Sequence, residues 1–275
     1  MKCAWNELIS VIPQRMRETV DRQGRETLQE LRLRVGTMPI MQLNGSVKEI
    51  CGAVTQQEIG FVLNMASRYS LWAAATSAKG YITARGGHRI GICGEAVFDG
   101  REMTGIRTAT SVCIRVARDF SGIADKLKNH TENLLILGPP GSGKTTLLRD
   151  LIRYRPDTAV VDERGEIFPI CQNEFCFDPG PYADVLSGCP KVSGIDTVLR
   201  TMAPRWIAVD EITAEADCDA MIRAGWCGVG LLATAHAACV EDLRSRPIYR
   251  KLLDCGLFRT AVIMEKNKSW RKERL

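Results

Sequence analysis

Two rhythms of apolar and polar positions run along the chain, and they change near residue 133. In the first part, "ETLQELRLRV" passes from helical spacing to alternation. Leu31, Leu33 and Val35 face one way with Arg32 and Arg34 between them, the pattern of a strand with one buried face. Residues 4 to 35 therefore read as helix then strand, and after Gly36 and Pro39 "PIMQL" reads as a second short strand. "TQQEIGFVLNMASRYSLWAAAT" carries apolar residues at helical spacing, and Thr55 with Glu58 forms a capping-box signature at its start. Residues 80 to 118, rich in glycine and β-branched side chains, read as a run of short strands joined by tight turns. Together these elements predict a smaller α+β domain over 1–118, followed by a linker or short helix over 119–132.

From Asn133 the pattern becomes β-α-β. "NLLILG", "TAVVDE", "RWIAVDE" and "VGLLATAH" are apolar strand candidates, and "GKTTLLRDLIRYR", "GIDTVLRTMA" and "ADCDAMIRAGWCG" are the helices between them. Apolar strands alternating with helices predict a parallel sheet covered on both faces, in an α/β domain spanning 133–275.

Composition narrows this little. With 45% hydrophobic and 25% charged residues the chain is an ordinary globular protein. Its net charge of +5 permits an acidic partner without arguing for one. Eleven cysteines, an odd number with no C-x-x-C pair, read as reduced and mostly buried thiols. Cys171, Cys176 and Cys189 match no standard zinc spacing. The first residues lack the apolar core of a signal peptide, and no apolar run reaches the length of a membrane span. A soluble protein able to dock on a membrane complex is expected.

The chemistry concentrates at strand ends. "GPPGSGKT", Gly138 to Thr145, fits G-x-x-x-x-G-K-[ST] in full and lies between a buried strand and a helix. Gly138, Gly141 and Gly143, with Pro139, Pro140 and Ser142 between them, let backbone N–H groups turn inward around phosphate. The helix N-terminus carrying Thr146 adds a positive field. Lys144 brings charge to the β- and γ-phosphates, and Thr145 offers a hydroxyl to Mg²⁺. Two strands then end in acid, "VVDERGEI" at Asp162 and Glu163 and "IAVDEI" at Asp210 and Glu211. The second is the better magnesium strand, Asp210 serving the metal and Glu211 the attacking water. Only 18 residues separate Lys144 from Asp162, so the strand of Asp162 is expected beside the phosphate strand. His236 ends a third strand, on the edge where parallel sheets bind ligands.

A phosphate loop, an acidic segment, a D-E strand and a T-x-H strand, in that order, resemble the RecA-like ATPases of type II and type IV secretion and pilus retraction. "LRLRVG", "GYITARGGHRIGICGE", "IRTATSVCIRVAR", "GPPGSGKTTLLRDLIR", "DVLSGCPKVSGIDTVLRTMAP" and "ATAHA" resemble the stage III sporulation protein AA family over nearly the whole chain. The resemblance implies a RecA-like P-loop NTPase domain behind the α+β domain, ATP and Mg²⁺ as ligands, and Mg-dependent ATP hydrolysis. It implies Glu163 and Glu166 as alternative acidic-box residues, His236 as a sensor of the γ-phosphate, and Arg115 and Arg118, preceded by Arg107, as arginines reaching a nucleotide in trans. Thr213 departs from the pattern, where glycine is expected. A hexameric ring is implied as well, cytoplasmic in the mother cell and peripheral at the forespore-facing membrane, docked on membrane proteins of a sporulation channel complex. RecA-like cores also drive nucleic-acid motors, but no aromatic-basic interleaving or nucleic-acid module occurs in the chain. An ATP-dependent assembly scaffold with weak hydrolysis is the other alternative. The short basic tail "MEKNKSWRKERL" reads as a solvated end.

Overall fold

The computed structural model describes residues 1–67, 80–171 and 173–275. They form two compact units, Met1–Asp119 with Pro169–Phe177, and Phe120–Phe168 with Asp178–Leu275.

The first unit is built on a six-stranded antiparallel sheet. Its strands are β1 (Leu28–Arg34), β2 (Ile40–Leu43), β3 (Ser46–Glu49), β4 (Tyr81–Thr83), β5 (Arg89–Asp99) and β6 (Glu102–Arg115), in the order β3-β2-β1-β6-β5-β4. Helices α1 (Trp5–Val11) and α2 (Gln14–Gly24) are separated at Pro13, which has no N–H to continue a helix. Along β1, Leu31 and Leu33 are buried and Arg32 and Arg34 exposed, as the alternation requires. Thr55 and Glu58 close their capping box reciprocally, Glu58 N–H on Thr55 Oγ1 at 3.2 Å and Thr55 N–H on Glu58 Oε2 at 2.9 Å. The helix they start, α3, is described over Gln56–Ser67; the rest of the expected helix, from residue 68, lies outside the described residues.

Residues 89–115 are not a run of short strands. They form one long hairpin, β5 on β6, turned at Gly100 and Arg101 and shifted in register by bulges. A Cβ at Gly94 would lie 1.9 Å from the Thr108 carbonyl, so glycine here serves a bulge inside a strand and not a strand end.

The second unit carries a seven-stranded mixed sheet, mostly parallel. Its strands are β7 (Leu134–Leu137), β8 (Thr158–Asp162), β11 (Ala183–Ser187), β12 (Trp206–Val209), β13 (Gly230–Ala235), β14 (Thr260–Met264) and β15 (Trp270–Arg274), ordered β11-β8-β12-β13-β7-β14-β15. Between β8 and β11 the chain makes the small hairpin β9 (Ile170–Cys171) and β10 (Glu174–Phe175), which groups with the first unit. Every residue of β7 and β8 is buried, because both faces of the sheet are covered. One face packs Leu135, Leu137, Val161, Val209, Leu231 and Ile263 against helices α5 (Lys191–Thr201), α6 (Glu215–Trp226), α7 (Val240–Ser245) and α8 (Arg250–Asp254). Helix α4 (Lys144–Ile152) follows the phosphate loop and packs on β7 and β13.

Two further expectations are corrected. Strand β8 does not neighbour the phosphate strand β7: β12 and β13 lie between them. A short connection limits only how far a crossover can reach, and here α4 carries the chain past two strand positions that later segments fill. The basic tail is not a free end: β15 pairs antiparallel with β14, from Thr260↔Arg274 to Met264↔Trp270. Its alternation of charged residues suits an edge strand with one wet face.

Candidate functional site

The site is assembled at the carboxyl ends of β7, β8, β12 and β13. The phosphate loop leaves β7 at Gly138, where a Cβ would meet Ser142 Oγ at 2.6 Å and the Met264 carbonyl at 2.8 Å, so only glycine fits. Gly143 caps α4 with φ of 100°, a left-handed turn that aims the following N–H groups inward. Ser142 is fully buried and its Oγ has no partner. Lys144 is also buried and donates to the carbonyls of Gly138 (2.9 Å) and Pro139 (3.1 Å) and to His236 Nδ1 (3.1 Å). Burial pushes the Lys144 amine below its ordinary pKa, and the Asp210 and Glu211 carboxylates pull it back up.

One continuous hydrogen-bond network joins the loop to the two strands opposite. Thr145 Oγ1 donates to Asp210 Oδ2 at 2.7 Å, and Thr234 Oγ1 donates to Asp210 Oδ1 at 2.5 Å. Thr234 Oγ1 accepts the Glu211 N–H at 2.8 Å. His236 Nε2 lies 2.6 Å from Glu211 Oε1. An ammonium can only donate, so Lys144 makes His236 Nδ1 an acceptor and leaves Nε2 to carry the proton towards Glu211. Glu211 has φ of 52°, a left-handed conformation that costs a residue with a side chain of the order of 1 kcal/mol. Its N–H bond to Thr234, and the Ile212 N–H bond to the Thr234 carbonyl at 2.9 Å, hold it there.

The first acidic strand end is arranged differently. Asp162 is buried and accepts the N–H groups of Glu166 (2.8 Å), Ile167 (3.0 Å) and Phe168 (2.9 Å), tying down the loop that follows it. Glu163 accepts Lys191 Nζ at 2.5 Å. Glu166 is half-buried, with its carbonyl on Arg149 Nη2 at 2.7 Å. Arg107 and Arg115 pair in the first unit with Glu95 (3.0 Å) and Glu30 (3.4 Å). Arg118 lies beyond the end of β6 and donates to the carbonyls of Leu28 and Arg25.

Two residues that sequence reasoning passed over belong to the network. Arg164, inside the acidic segment, donates to Glu211 Oε2 at 2.6 Å. Lys268, in the turn between β14 and β15, donates to the Gly141 carbonyl. Arg164 could have been flagged by the acids around it, whereas nothing local marks Lys268.

The residues present fit Mg²⁺ with phosphate. Thr145 and Asp210 offer hard oxygen donors side by side, and the glycines and the unpartnered Ser142 hydroxyl form a cradle that a side chain would fill. Among the described residues no group of three or more His, Cys, Asp and Glu could hold a metal. Magnesium beside phosphates needs only one or two protein oxygens.

The solved chains similar to this one include the ATPase DotB of Yersinia pseudotuberculosis (17% identity, TM-score 0.61, covering 95% of this chain and 78% of that one). The DotB of Legionella pneumophila gives 15%, 0.55, 96% and 80% in the same order. The pilus retraction motor PilT, solved with bound ADP, gives 14%, 0.58, 90% and 76%. These likenesses establish the RecA-like secretion-ATPase fold. Stage III sporulation protein AA of Bacillus subtilis is 35% identical over 270 residues, covering 90% of this chain and 86% of the relative. The family described as "Sporulation stage III, protein AA" matches residues 4–272, and this chain belongs to it.

Proposed function

We propose that the chain binds ATP with Mg²⁺ and hydrolyses it, as the motor component of a secretion-like sporulation complex. The observation that carries this reading is the unbroken network from Lys144 through His236 to Glu211, with Asp210 held between Thr145 and Thr234. It brings a phosphate ligand, a metal ligand and a carboxylate for water onto one sheet edge.

Lys144 would exchange its carbonyl partners for phosphate oxygens. Thr145 and Asp210 would hold the metal, which supplies charge neutralisation at the phosphates. Glu211 would aim a water in line, its backbone fixed by Thr234 and its side chain steadied by His236. Because His236 bonds both Lys144 and Glu211, a γ-phosphate arriving at Lys144 would be felt by the carboxylate; this makes His236 the sensor. Glu163, which accepts Lys191, and Glu166 both lie in the acidic segment beside the site, and the acidic-box role at the nucleotide falls to one of the two. The ring assembly, the trans arginines and a place at the forespore membrane belong to the same proposal. Family membership supports them, and no described helix is long and apolar enough to cross a membrane.

Both Glu211 oxygens are occupied, by His236 and by Arg164. This favours a second reading, an assembly scaffold that binds ATP and hydrolyses it weakly.

Glu211→Gln decides between them. The motor reading expects hydrolysis to fall by about 10²–10³ with the affinity for a non-hydrolysable ATP analogue unchanged. Equal rates in variant and parent refute the role of Glu211, and no measurable hydrolysis in either, with the analogue still bound, leaves the scaffold.

A further inference from the structure

A cavity of ≈ 590 Å³ in the second unit is lined by Arg244, Arg250, Arg259 and Arg274, together with Leu253, Phe258 and Asp254. It lies at the far end of the sheet from the phosphate loop. Arg259 and Arg274 flank the start of β14, whereas Met264, at its other end, touches the loop beside Gly138. That strand length is roughly 13 Å.

The four arginines are set apart by what they lack. Residues 120–275 contain thirteen arginines. Nine of them, at 149, 153, 155, 164, 200, 205, 223, 246 and 271, hydrogen-bond or ion-pair with carboxylates or carbonyls. The side chains of the other four make no hydrogen bond or ion pair among the described residues, and these are the four that line the cavity. Asp254 is the single carboxylate side chain in the lining. Four exposed guanidinium groups around one hollow, against the single carboxylate side chain of Asp254, leave a positively charged surface, and arginine presents the planar fork that fits carboxylate or phosphate.

We propose that this cavity docks an acidic peptide segment of a partner protein, its carboxylates on the arginines and an apolar side chain on Leu253. The other anionic partners fit less well. A membrane surface would need exposed apolar residues to insert, and none of the exposed large hydrophobics lines the cavity. Single-stranded nucleic acid would need an aromatic face for stacking, and the one aromatic present, Phe258, is buried. The volume is that of a site for a few residues and not of a whole protein face. Nothing in this proposal depends on nucleotide hydrolysis.

The test uses the full chain and a fluorescein-labelled peptide of repeated Glu-Glu-Leu, with the matching Gln-Gln-Leu peptide as control, followed by anisotropy. The expected result is salt-sensitive binding of the acidic peptide alone. It should weaken about tenfold or more in Arg250→Glu with Arg259→Glu and stay unchanged in Arg205→Glu, whose arginine pairs with Asp157 away from the cavity. Arg244→Gln with Arg274→Gln, which keeps charge reversal out of the fold, should weaken binding in the same direction, and melting curves confirm that each variant folds. Equal binding in parent and cavity variants, or no preference for the acidic peptide, overturns the proposal. So does binding of phosphatidylglycerol vesicles or of a single-stranded oligonucleotide that the cavity variants abolish while peptide binding persists.

Discussion

Asp162 and Asp210 end adjacent parallel strands in matched register, the pair Val161↔Val209 preceding them, and each is followed by glutamate. Their environments share almost nothing. Asp162 turns back onto its own loop and satisfies three backbone N–H groups, and Glu163 is spent on Lys191. Asp210 reaches across to the hydroxyls of Thr145 and Thr234, and Glu211 reaches His236 and Arg164. One acidic pair ties down its own loop and Lys191, and the other joins the hydrogen-bond network at the phosphate loop. The same two letters at the same position on neighbouring strands acquire different work from whatever the chain brings beside them.

The sharpest break of this comparison is to make the same substitution at both positions. Asp210→Asn should lower ATP hydrolysis by about 10²–10³ while leaving unfolding almost unchanged. Asp162→Asn should alter hydrolysis by less than about tenfold and act on stability, since one amide oxygen replaces two acceptors for three buried donors. Equal losses of activity in steady-state assays would erase the distinction.

A second prediction concerns pH. Burial pushes the Asp162 carboxyl up to about 6, against the pull of its backbone donors and of Arg149. The folded chain therefore keeps a proton that the unfolded chain has already released. The stability this gives is complete below the ordinary carboxylate range and is lost as pH rises through about 6. The displacement is equivalent to about 3 kcal/mol. Urea unfolding near pH 4 and near pH 7 should show the parent losing stability relative to Asp162→Asn by that order; parallel profiles would refute it.

The smallest effect is expected at Arg164. Its pair with Glu211 is partly exposed, so the contact contributes at most about 1 kcal/mol. Arg164→Ala frees one Glu211 oxygen for water, and basal hydrolysis should rise about two- to fivefold with analogue affinity unchanged. A fall in rate would instead make Arg164 part of the catalytic machinery.

Much of this molecule was legible from its residues. The phosphate loop, the capping box of Thr55 and Glu58, the alternation of β1 and the apolar strands ending at Asp210 and His236 all stand where their spacing put them. These features are local: the groups that interact lie within one turn, one strand or one loop. Some misreadings were local: the bulged hairpin of residues 89–115 read as several short strands, and of the thiols expected to be mostly buried only Cys171 and Cys218 are. The others were long-range. The position of β8 depends on β12 and β13, which come later in the chain and lie between it and β7. The tail becomes β15 only because β14 leaves an open edge, and Lys268 reaches Gly141 only because that edge runs past the phosphate loop.

By itself the sequence determined the inventory: glycines where backbone must close around a phosphate, a lysine and threonine at the next two positions, apolar strands, and acids at their ends. Those are decided by sterics and hydration within a few residues. Only the tertiary structure decided which side chains each aspartate meets. Thr145 lies 65 residues from Asp210 and Thr234 lies 24 residues from it, and no local preference can specify partners across such distances. They meet because the strand order places β12 between β8 and β13 and β13 beside β7, and the side chains at the strand ends inherit the neighbours that order supplies.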